Sequence, residues 1–158
     1  MNNQESLCAE APAEAPLRYQ TTSPRRILVV DDDTDTRQLS VDLLVDSGYD
    51  VEAANDGAAG WKALQATQYD LVITDNKMPV MTGIEMIEKL RDADMLLPVI
   101  MATQFPPVDV FHRKPWLIPD ATLERPFTNN ELLALVTRIL GRDDGQDDVK
   151  ESLIPKYL

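Results

Sequence analysis

The chain alternates between short apolar runs and amphipathic segments, and this alternation restricts its fold more than any other feature of the sequence. Between the apolar runs, hydrophobic residues recur at the spacing of one helix face. Strand and helix alternate five times, which predicts a parallel sheet with helices on both of its faces. The predicted strands cover residues 27–30, 51–54, 71–74, 99–102 and, more weakly, 121–123.

Two of the helical segments are clearly marked. The last helix has an apolar residue at every third or fourth position, and it opens with Thr128 followed by Glu131, which is the pattern of a capping box. The first helix carries a stripe of leucines that we expect to face the core. This stripe is formed by Leu39, Leu43 and Leu44.

The fourth helix is predicted to be short or irregular, because four prolines fall within residues 104–119. Pro107 could open a helix, since proline is tolerated in a first turn. Pro115 would end that helix, which leaves at most about two turns. We expect Phe111 and Trp116 to pack over the shortened segment.

Charge and composition exclude several classes of protein. The net charge of −12 argues against direct binding to nucleic acid or to an anionic membrane, and it fits binding of cations or of a basic partner. Cys8 is the single cysteine, so no disulfide can form within the chain. No apolar run approaches the length of a membrane-spanning helix, and the N-terminus lacks the pattern of a secretory signal. We therefore expect a cytoplasmic protein without membrane insertion.

The two ends of the chain differ in composition from its middle. Residues 1–24 are rich in Ala, Pro and Glu without periodicity, which predicts a flexible N-terminal tail. Residues 142–158 are acidic and mostly polar, which predicts an acidic C-terminal tail. Residues 25–141 remain as one predicted domain.

Polar side chains follow the predicted strands at the points where they end. Asp31 and Asp32 come directly after the first strand, Asp75 after the third, Thr103 after the fourth and Arg125 after the fifth. Because the carboxyl ends of parallel strands meet at one edge of the sheet, we expect these side chains to lie close together. Clustered carboxylates repel one another, and hard oxygen ligands with room for water suit Mg²⁺. The hydroxyl and the guanidinium would remain free to hold phosphoryl oxygens.

Four motifs, taken in order, closely resemble the receiver domain of two-component response regulators. They are ILVVDDD at 27–33, ITDNKMPVMTG at 73–83, VIMAT at 99–103 and ERPFT at 124–128. The resemblance extends over roughly residues 26–140. It implies a flavodoxin-like fold, in which a five-stranded, parallel, doubly wound sheet has the strand order 2-1-3-4-5.

The resemblance also implies a role for each matching residue. Asp75 would be the phosphoacceptor, Thr103 the switch hydroxyl, and Arg125 stands where the family has a lysine. In the family the bond between that lysine and the following proline is cis, so we expect a cis bond here and a guanidinium that points at the acidic cluster. The implied Mg²⁺ ligands are Asp31, Asp32, Asp75 and the backbone carbonyl of Lys77.

The implied function is that of a stand-alone response-regulator receiver in phosphorelay signal transduction. It would accept a phosphoryl group on Asp75 from a histidine kinase or a histidine phosphotransfer protein, and it would need Mg²⁺ to do so. Such a protein is a phosphoprotein that carries a signal, and we do not expect an enzyme in the ordinary sense. The sequence does not indicate its downstream protein partner.

Two other functions stay open at this point. The first is a receiver-like protein-binding module that works without phosphate. Three departures from the family pattern favour it: Arg125 in place of lysine, Thr122 in place of the expected aromatic residue, and the interrupted fourth helix. A strand-end aspartate followed by a second acid, as at Asp31 and Asp33, also fits the start of an Mg²⁺-dependent phosphohydrolase. In that class Thr or Val is usual at the position that Asp35 occupies.

Overall fold

The strands and helices of the computed structural model follow the alternation of apolar runs in the sequence. The structure describes residues 23–141, so the predicted tails, 1–24 and 142–158, lie outside the described residues except for positions 23 and 24. The strands are β1 (Arg26–Val30), β2 (Asp50–Ala54), β3 (Leu71–Thr74), β4 (Val99–Thr103) and β5 (Ala121–Glu124). The helices are α1 (Thr34–Asp46), α2 (Gly57–Ala66), α3 (Gly83–Asp92), α4 (Val108–Arg113) and α5 (Asn129–Gly141), with a 3₁₀ turn at Pro115–Leu117 between α4 and β5.

The five strands form one parallel sheet in the order β2-β1-β3-β4-β5. This confirms the predicted fold class and strand order, and each strand lies within one residue of its predicted bounds. Ile27 of β1 pairs with Val51 of β2 on one side and with Leu71 of β3 on the other. The residues that follow β1, β3 and β4 therefore reach the same edge of the sheet.

The central strands are buried because helices cover both faces of the sheet. Side chains alternate along β1, so Leu28 and Val30 pack into one apolar layer while Ile27 and Val29 pack into the other. Helices α2, α3 and α4 cover the first layer, and α1 and α5 cover the second. Burial on both faces explains why these strands read as continuous apolar runs. Within residues 23–141, none of the helices has the length and apolar character needed to cross a bilayer.

The fourth helix is short, as the prolines predict. It has six residues, and the 3₁₀ turn that begins at Pro115 follows it. Phe111 and Leu117 are fully buried, so side-chain packing holds this segment against the sheet. The expectation for Trp116 is wrong, because this side chain is 61% exposed. Its neighbours Leu117 and Ile118 take the inward positions and pack into the core instead.

The leucine stripe of α1 is narrower than predicted. Leu44 is fully buried, but Leu39 is 69% exposed and does not belong to the core. Leu39 instead lines a groove between α1 and α5. Helical spacing alone does not reveal this, because it identifies a face of the helix without showing how much of that face the sheet covers.

Capping boxes fix the starts of two helices at the edge of the sheet. At α5 the N–H of Glu131 donates to Thr128 Oγ1 at 3.1 Å, and the N–H of Thr128 donates to Glu131 Oε2 at 2.7 Å, as predicted. The backbone N–H of Thr128 lowers the pKa of the exposed Glu131. A second capping box, formed by Thr82 and Glu85, starts α3. Both helices thus begin at positions that their own sequences define.

The turn between β3 and α3 depends on a close backbone approach at Gly83. The N–H of Gly83 donates to the carbonyl oxygen of Asn76 at 2.9 Å, and the side-chain oxygen of Asn76 accepts the N–H of Ile84 at 3.0 Å. A Cβ at position 83 would overlap the backbone carbonyl oxygen of Asp75. A residue without a side chain is therefore required at the start of α3, and this requirement helps to place Asp75.

Replacing Gly83 by alanine should destabilise the domain by about 1–3 kcal/mol, because the added Cβ forces the backbone at Asp75 to move. Gly141→Ala is the matched control, since a Cβ there meets nothing within 4 Å. Its expected effect is below about 0.5 kcal/mol. Urea unfolding measures both free energies, and equal stability of the two variants would contradict the packing described at Gly83.

Candidate functional site

The segments after β1, β3, β4 and β5 bring the predicted polar residues together at one edge of the sheet. Carboxylate oxygens of Asp31, Asp32 and Asp75 all lie within 4.8 Å of one another. Arg125 forms ion pairs with Asp31 and Asp75, and its backbone N–H donates to the carbonyl oxygen of Thr103 at 3.1 Å. The structure thus gathers the residues that the sequence placed at the strand ends.

Asp31 is the most deeply buried acid of this site. It is 3% exposed, and its N–H extends the sheet by donating to the carbonyl oxygen of Ala54 at 3.1 Å. Its Oδ1 accepts the N–H of Asp33 at 2.9 Å, and its Oδ2 accepts a hydrogen bond from Arg125 Nη2. Burial raises the pKa of Asp31 above its ordinary value, although both hydrogen bonds oppose this rise. A positive charge beside Asp31 therefore favours its ionised form.

Asp75 lies directly after β3, and hydrogen bonds with neighbouring residues hold its backbone and its carboxylate. Its N–H donates to the carbonyl oxygen of Val30 at 3.0 Å, and Thr74 Oγ1 donates to the carbonyl oxygen of Asp75 at 2.7 Å. The carboxylate Oδ1 accepts the N–H of Asn76 at 2.6 Å. Its Oδ2 lies 3.5 Å from Arg125 Nη1. The carboxylate is therefore oriented toward the guanidinium.

Arg125 lies just after β5 and extends across the site. The bond between Arg125 and Pro126 is cis, which confirms the prediction from the family resemblance. The guanidinium contacts Asp31 through Nη2 and approaches Asp75 through Nη1, so it points at the acidic cluster as predicted. Its side chain is 22% exposed. Within residues 23–141, its Nε is a buried nitrogen without a hydrogen-bond partner.

The remaining positions of the family pattern differ in their exposure. Thr103 is buried at the end of β4, whereas Gln104 and Phe105, which follow it, are exposed. Thr122 is half-buried in β5. The side chain of Lys77 is exposed, and the role of its backbone carbonyl stays a prediction.

Sequence reasoning missed three residues that hold the site in place. Arg37 in α1 donates from Nη1 to the backbone carbonyl oxygen of Asp31 at 2.7 Å, which ties the end of β1 to the helix that follows. Thr74 and Asn76 hold the backbone and the carboxylate of Asp75. The position of Arg37 in the first turn of α1 was a usable signal, because first-turn residues lie beside the strand end. No sequence pattern predicts that Thr74 and Asn76 form hydrogen bonds with Asp75.

The donor set at this edge of the sheet fits a magnesium ion. Three carboxylates offer hard oxygen atoms close together, and Asp32 is exposed, which leaves room for the water molecules that Mg²⁺ retains. Three carboxylates against one guanidinium also leave an excess of negative charge, which a divalent cation would offset. Asp31, Asp32 and Asp75 are the side chains that could hold it.

A groove of about 400 Å³ lies beside the acidic site, between α1 and α5. Arg125 forms part of its wall, but Asp31 and Asp75 do not line it. Most of its other lining is apolar and comes from Leu39, Leu43, Pro126, Phe127 and Leu132. The groove is therefore a neighbour of the acidic site and is separate from its carboxylates.

The fold and the site together define a class of protein, the CheY-like α/β domains that carry an acidic pocket at the carboxyl ends of their strands. Residues 27–137 match the model of the family described as the response regulator receiver domain. The chain belongs to this family, whose members are the receiver domains of two-component signalling systems.

Curated relatives carry the same domain within longer chains. The probable transcriptional regulatory protein SilR of Salmonella typhimurium is 33% identical over 117 residues, which are 74% of this chain and 51% of that protein. The alkaline phosphatase synthesis transcriptional regulatory protein PhoP of Bacillus subtilis is 33% identical over 124 residues, which are 76% of this chain and 50% of that protein. The present chain thus spans about half the length of these curated relatives.

Solved structures show the same fold over nearly their whole length. The chemotaxis response regulator CheY4 of Vibrio cholerae is 30% identical, with a TM-score of 0.67 over 73% of this chain and 98% of that one. The response regulator TrrA of Thermotoga maritima, solved in complex with Mg²⁺ and BeF, is 29% identical, with a TM-score of 0.64 over 73% of this chain and 98% of that one. Receiver domains are generally signalling modules, are phosphorylated by histidine kinases or phosphotransfer proteins, and usually bind Mg²⁺ at an acidic pocket.

Mg²⁺ should stabilise the folded domain, because it would bind carboxylates that are clustered only in the native state. At roughly a hundredfold excess over Kd, the free energy of unfolding should rise by about 2.7 kcal/mol. Asp32→Asn should remove most of this gain, whereas Asp35→Asn, which removes an exposed acid of α1, should retain it. Thermal unfolding with and without Mg²⁺ measures the effect, and a wild-type melting temperature indifferent to Mg²⁺ would contradict the site.

Proposed function

We propose that this chain is a receiver that accepts a phosphoryl group on Asp75 from a histidine kinase or a histidine phosphotransfer protein, with Mg²⁺ bound. The observation that supports this most is the position of Asp75. Its carboxylate is held at the edge of the sheet by the N–H of Asn76, beside two further carboxylates and within 3.5 Å of Arg125.

The transfer needs a nucleophile that is positioned and ionised. A carboxylate oxygen of Asp75 attacks the phosphorus of the phosphohistidine, a P–O bond forms as the P–N bond breaks, and the leaving imidazole takes up a proton. Water later attacks the phosphorus of the acyl phosphate, which releases phosphate and regenerates the carboxylate. The turn that holds Asp75 through Asn76 keeps the nucleophile in place. Apart from this nucleophile, the protein contributes mainly positioning and charge stabilisation to the transfer.

The neighbours of Asp75 would stabilise the negative charge on the transferring group. The guanidinium of Arg125 can give two parallel hydrogen bonds to phosphoryl oxygens, and the hydroxyl of Thr103 can donate a third. Mg²⁺, held by Asp31, Asp32, Asp75 and the backbone carbonyl of Lys77, would neutralise the charge spread over the phosphoryl oxygens. Asp31 gains from such a cation, because burial raises the pKa of its carboxyl.

The family and the charge of the chain support a proposal for the place of this receiver in the cell. The proposed input is a phosphohistidine of a kinase or phosphotransfer protein, and the output goes to a protein partner whose identity the sequence does not indicate. A stand-alone role and a cytoplasmic location stay predictions. The absence of direct nucleic-acid binding also stays a prediction, since the curated relatives SilR and PhoP are named as transcriptional regulatory proteins.

A second candidate function is a receiver-like binding module that works without phosphate. The pairing of Arg125 with both Asp31 and Asp75 favours it, because the guanidinium already supplies the positive charge that the carboxylates need. In such a module the acidic site would hold the fold together, and binding of a partner would not depend on phosphorylation. The two functions differ in whether Asp75 can be phosphorylated.

Incubation with Mg²⁺ and acetyl phosphate should add one phosphoryl group, because Asp75 is positioned to attack a small phosphodonor. Intact mass spectrometry would detect the group, and hydroxylamine should remove it, as expected for an acyl phosphate. Asp75→Asn should abolish the labelling, whereas Asp92→Asn, which changes an exposed acid at the end of α3, should not. Labelling of Asp75→Asn to the wild-type level would show that the acceptor is another residue.

A further inference from the structure

The groove between α1 and α5 leaves several apolar side chains open to solvent. Leu39 is 69% exposed, and Leu43 and Phe127, which line the groove with it, are only half-buried. The volume of about 400 Å³ lies within the range of binding pockets, which is roughly 300–1,000 Å³. The groove is therefore large enough to bind a short apolar segment.

The rest of the groove wall is polar and mostly uncharged. Neutral hydroxyl and amide side chains contribute to it, namely Thr36, Ser40, Gln104 and Asn129. Such groups can form hydrogen bonds with the backbone of a bound peptide. Of the residues that line the groove, Arg125 alone is charged, and its guanidinium is already paired with the acidic site. The groove thus suits a peptide with apolar side chains and little charge.

This chain contains a segment of that composition. Residues 142–158 are mostly polar and acidic, but residues 153–158 read LIPKYL, in which Lys156 is the one charged residue. The segment lies outside the described residues. Helix α5 has 13 residues and is about 20 Å long. Residues 142–152, which follow α5, can span roughly 36 Å when extended. Residues 153–158 can therefore reach back to the groove, which lies at the start of α5.

We propose that residues 153–158 bind in the groove between α1 and α5 of the same chain, with their apolar side chains against Leu39 and Leu43. Pro155 supports an extended backbone, because proline disfavours the helical conformation of the residue before it. The connection through α5 makes the binding intramolecular, which favours this segment over a free partner of equal affinity. The proposal does not depend on phosphorylation of Asp75. A partner protein that approaches the acidic site over this groove would compete with the segment.

Methyl NMR spectra of the full chain test the contact. Combined replacement of two residues, Ile154→Ser and Tyr157→Ser, should shift the methyl resonances of Leu39 and Leu43, because it removes apolar side chains from the groove. Val149→Ser is the matched control, since it removes an apolar residue that precedes the segment, and it should leave these resonances in place. Unchanged Leu39 and Leu43 resonances in the double variant, or equal shifts in both variants, would overturn the proposal.

A synthetic peptide of residues 150–158 tests whether the wild-type groove is already occupied. Calorimetry should show that the peptide binds the double variant about tenfold more tightly than wild type, because the tethered segment of wild type competes at an effective concentration of about 1 mM. A peptide that binds both proteins equally, or neither, would overturn the proposal.

A mixture of isotope-labelled and unlabelled wild-type chains distinguishes binding within one chain from binding between two copies. Nuclear Overhauser contacts from the ring of Tyr157 to the methyl groups of Leu39 should be seen within the labelled chain and not between labelled and unlabelled chains. Contacts between chains would identify a second copy as the occupant of the groove and would overturn the proposal.

Discussion

Repulsion among three carboxylates at one edge of the sheet is the constraint on which the rest of the site depends. Asp31 and Asp75 are buried, and burial alone raises the pKa of Asp31. The fold tolerates this arrangement because Arg125 reaches across from the end of β5 and pairs with both. Without a positive charge nearby, burial would favour the protonated form of Asp31. The same excess of negative charge makes the site suitable for a divalent ion and a phosphoryl group.

The parallel sheet brings the residues of this cluster together although they are far apart in the sequence. Strands β1, β3 and β4 are neighbours, so the residues that follow them meet even though long stretches of sequence separate them. Tight local contacts then set each carboxylate to its place. The close approach at Gly83 and the Asn76 N–H position Asp75, and Arg37 ties the backbone of Asp31 to α1. Rigid elements thus carry the site, and its chemistry depends on a few side chains at their ends.

Much of this arrangement could be predicted from sequence, and the failures have physical reasons. The sheet was predictable because strands buried on both faces are continuous apolar runs, and Asp31 and Asp75 were predictable as neighbours because parallel strands end at one edge. Leu39 was wrongly expected to face the core, since spacing identifies a face but not how much of it is covered. Trp116 was wrongly expected to pack over the shortened helix, since its neighbour Leu117 is the residue that is buried there. The pairing of Arg125 with two acids at once depends on side-chain geometry, which the order of residues does not determine.

The central claim is that Asp75 accepts a phosphoryl group while Arg125 moves from the carboxylates to the phosphoryl oxygens. A crystal structure of the domain with Mg²⁺ and beryllofluoride, a phosphoryl mimic, tests it most directly. The account predicts beryllofluoride bonded to an oxygen of Asp75, Mg²⁺ on the acidic cluster, and the guanidinium of Arg125 on the fluorines. A structure in which Arg125 still bridges Asp31 and Asp75, with neither Mg²⁺ nor beryllofluoride bound at saturating concentrations, would contradict it.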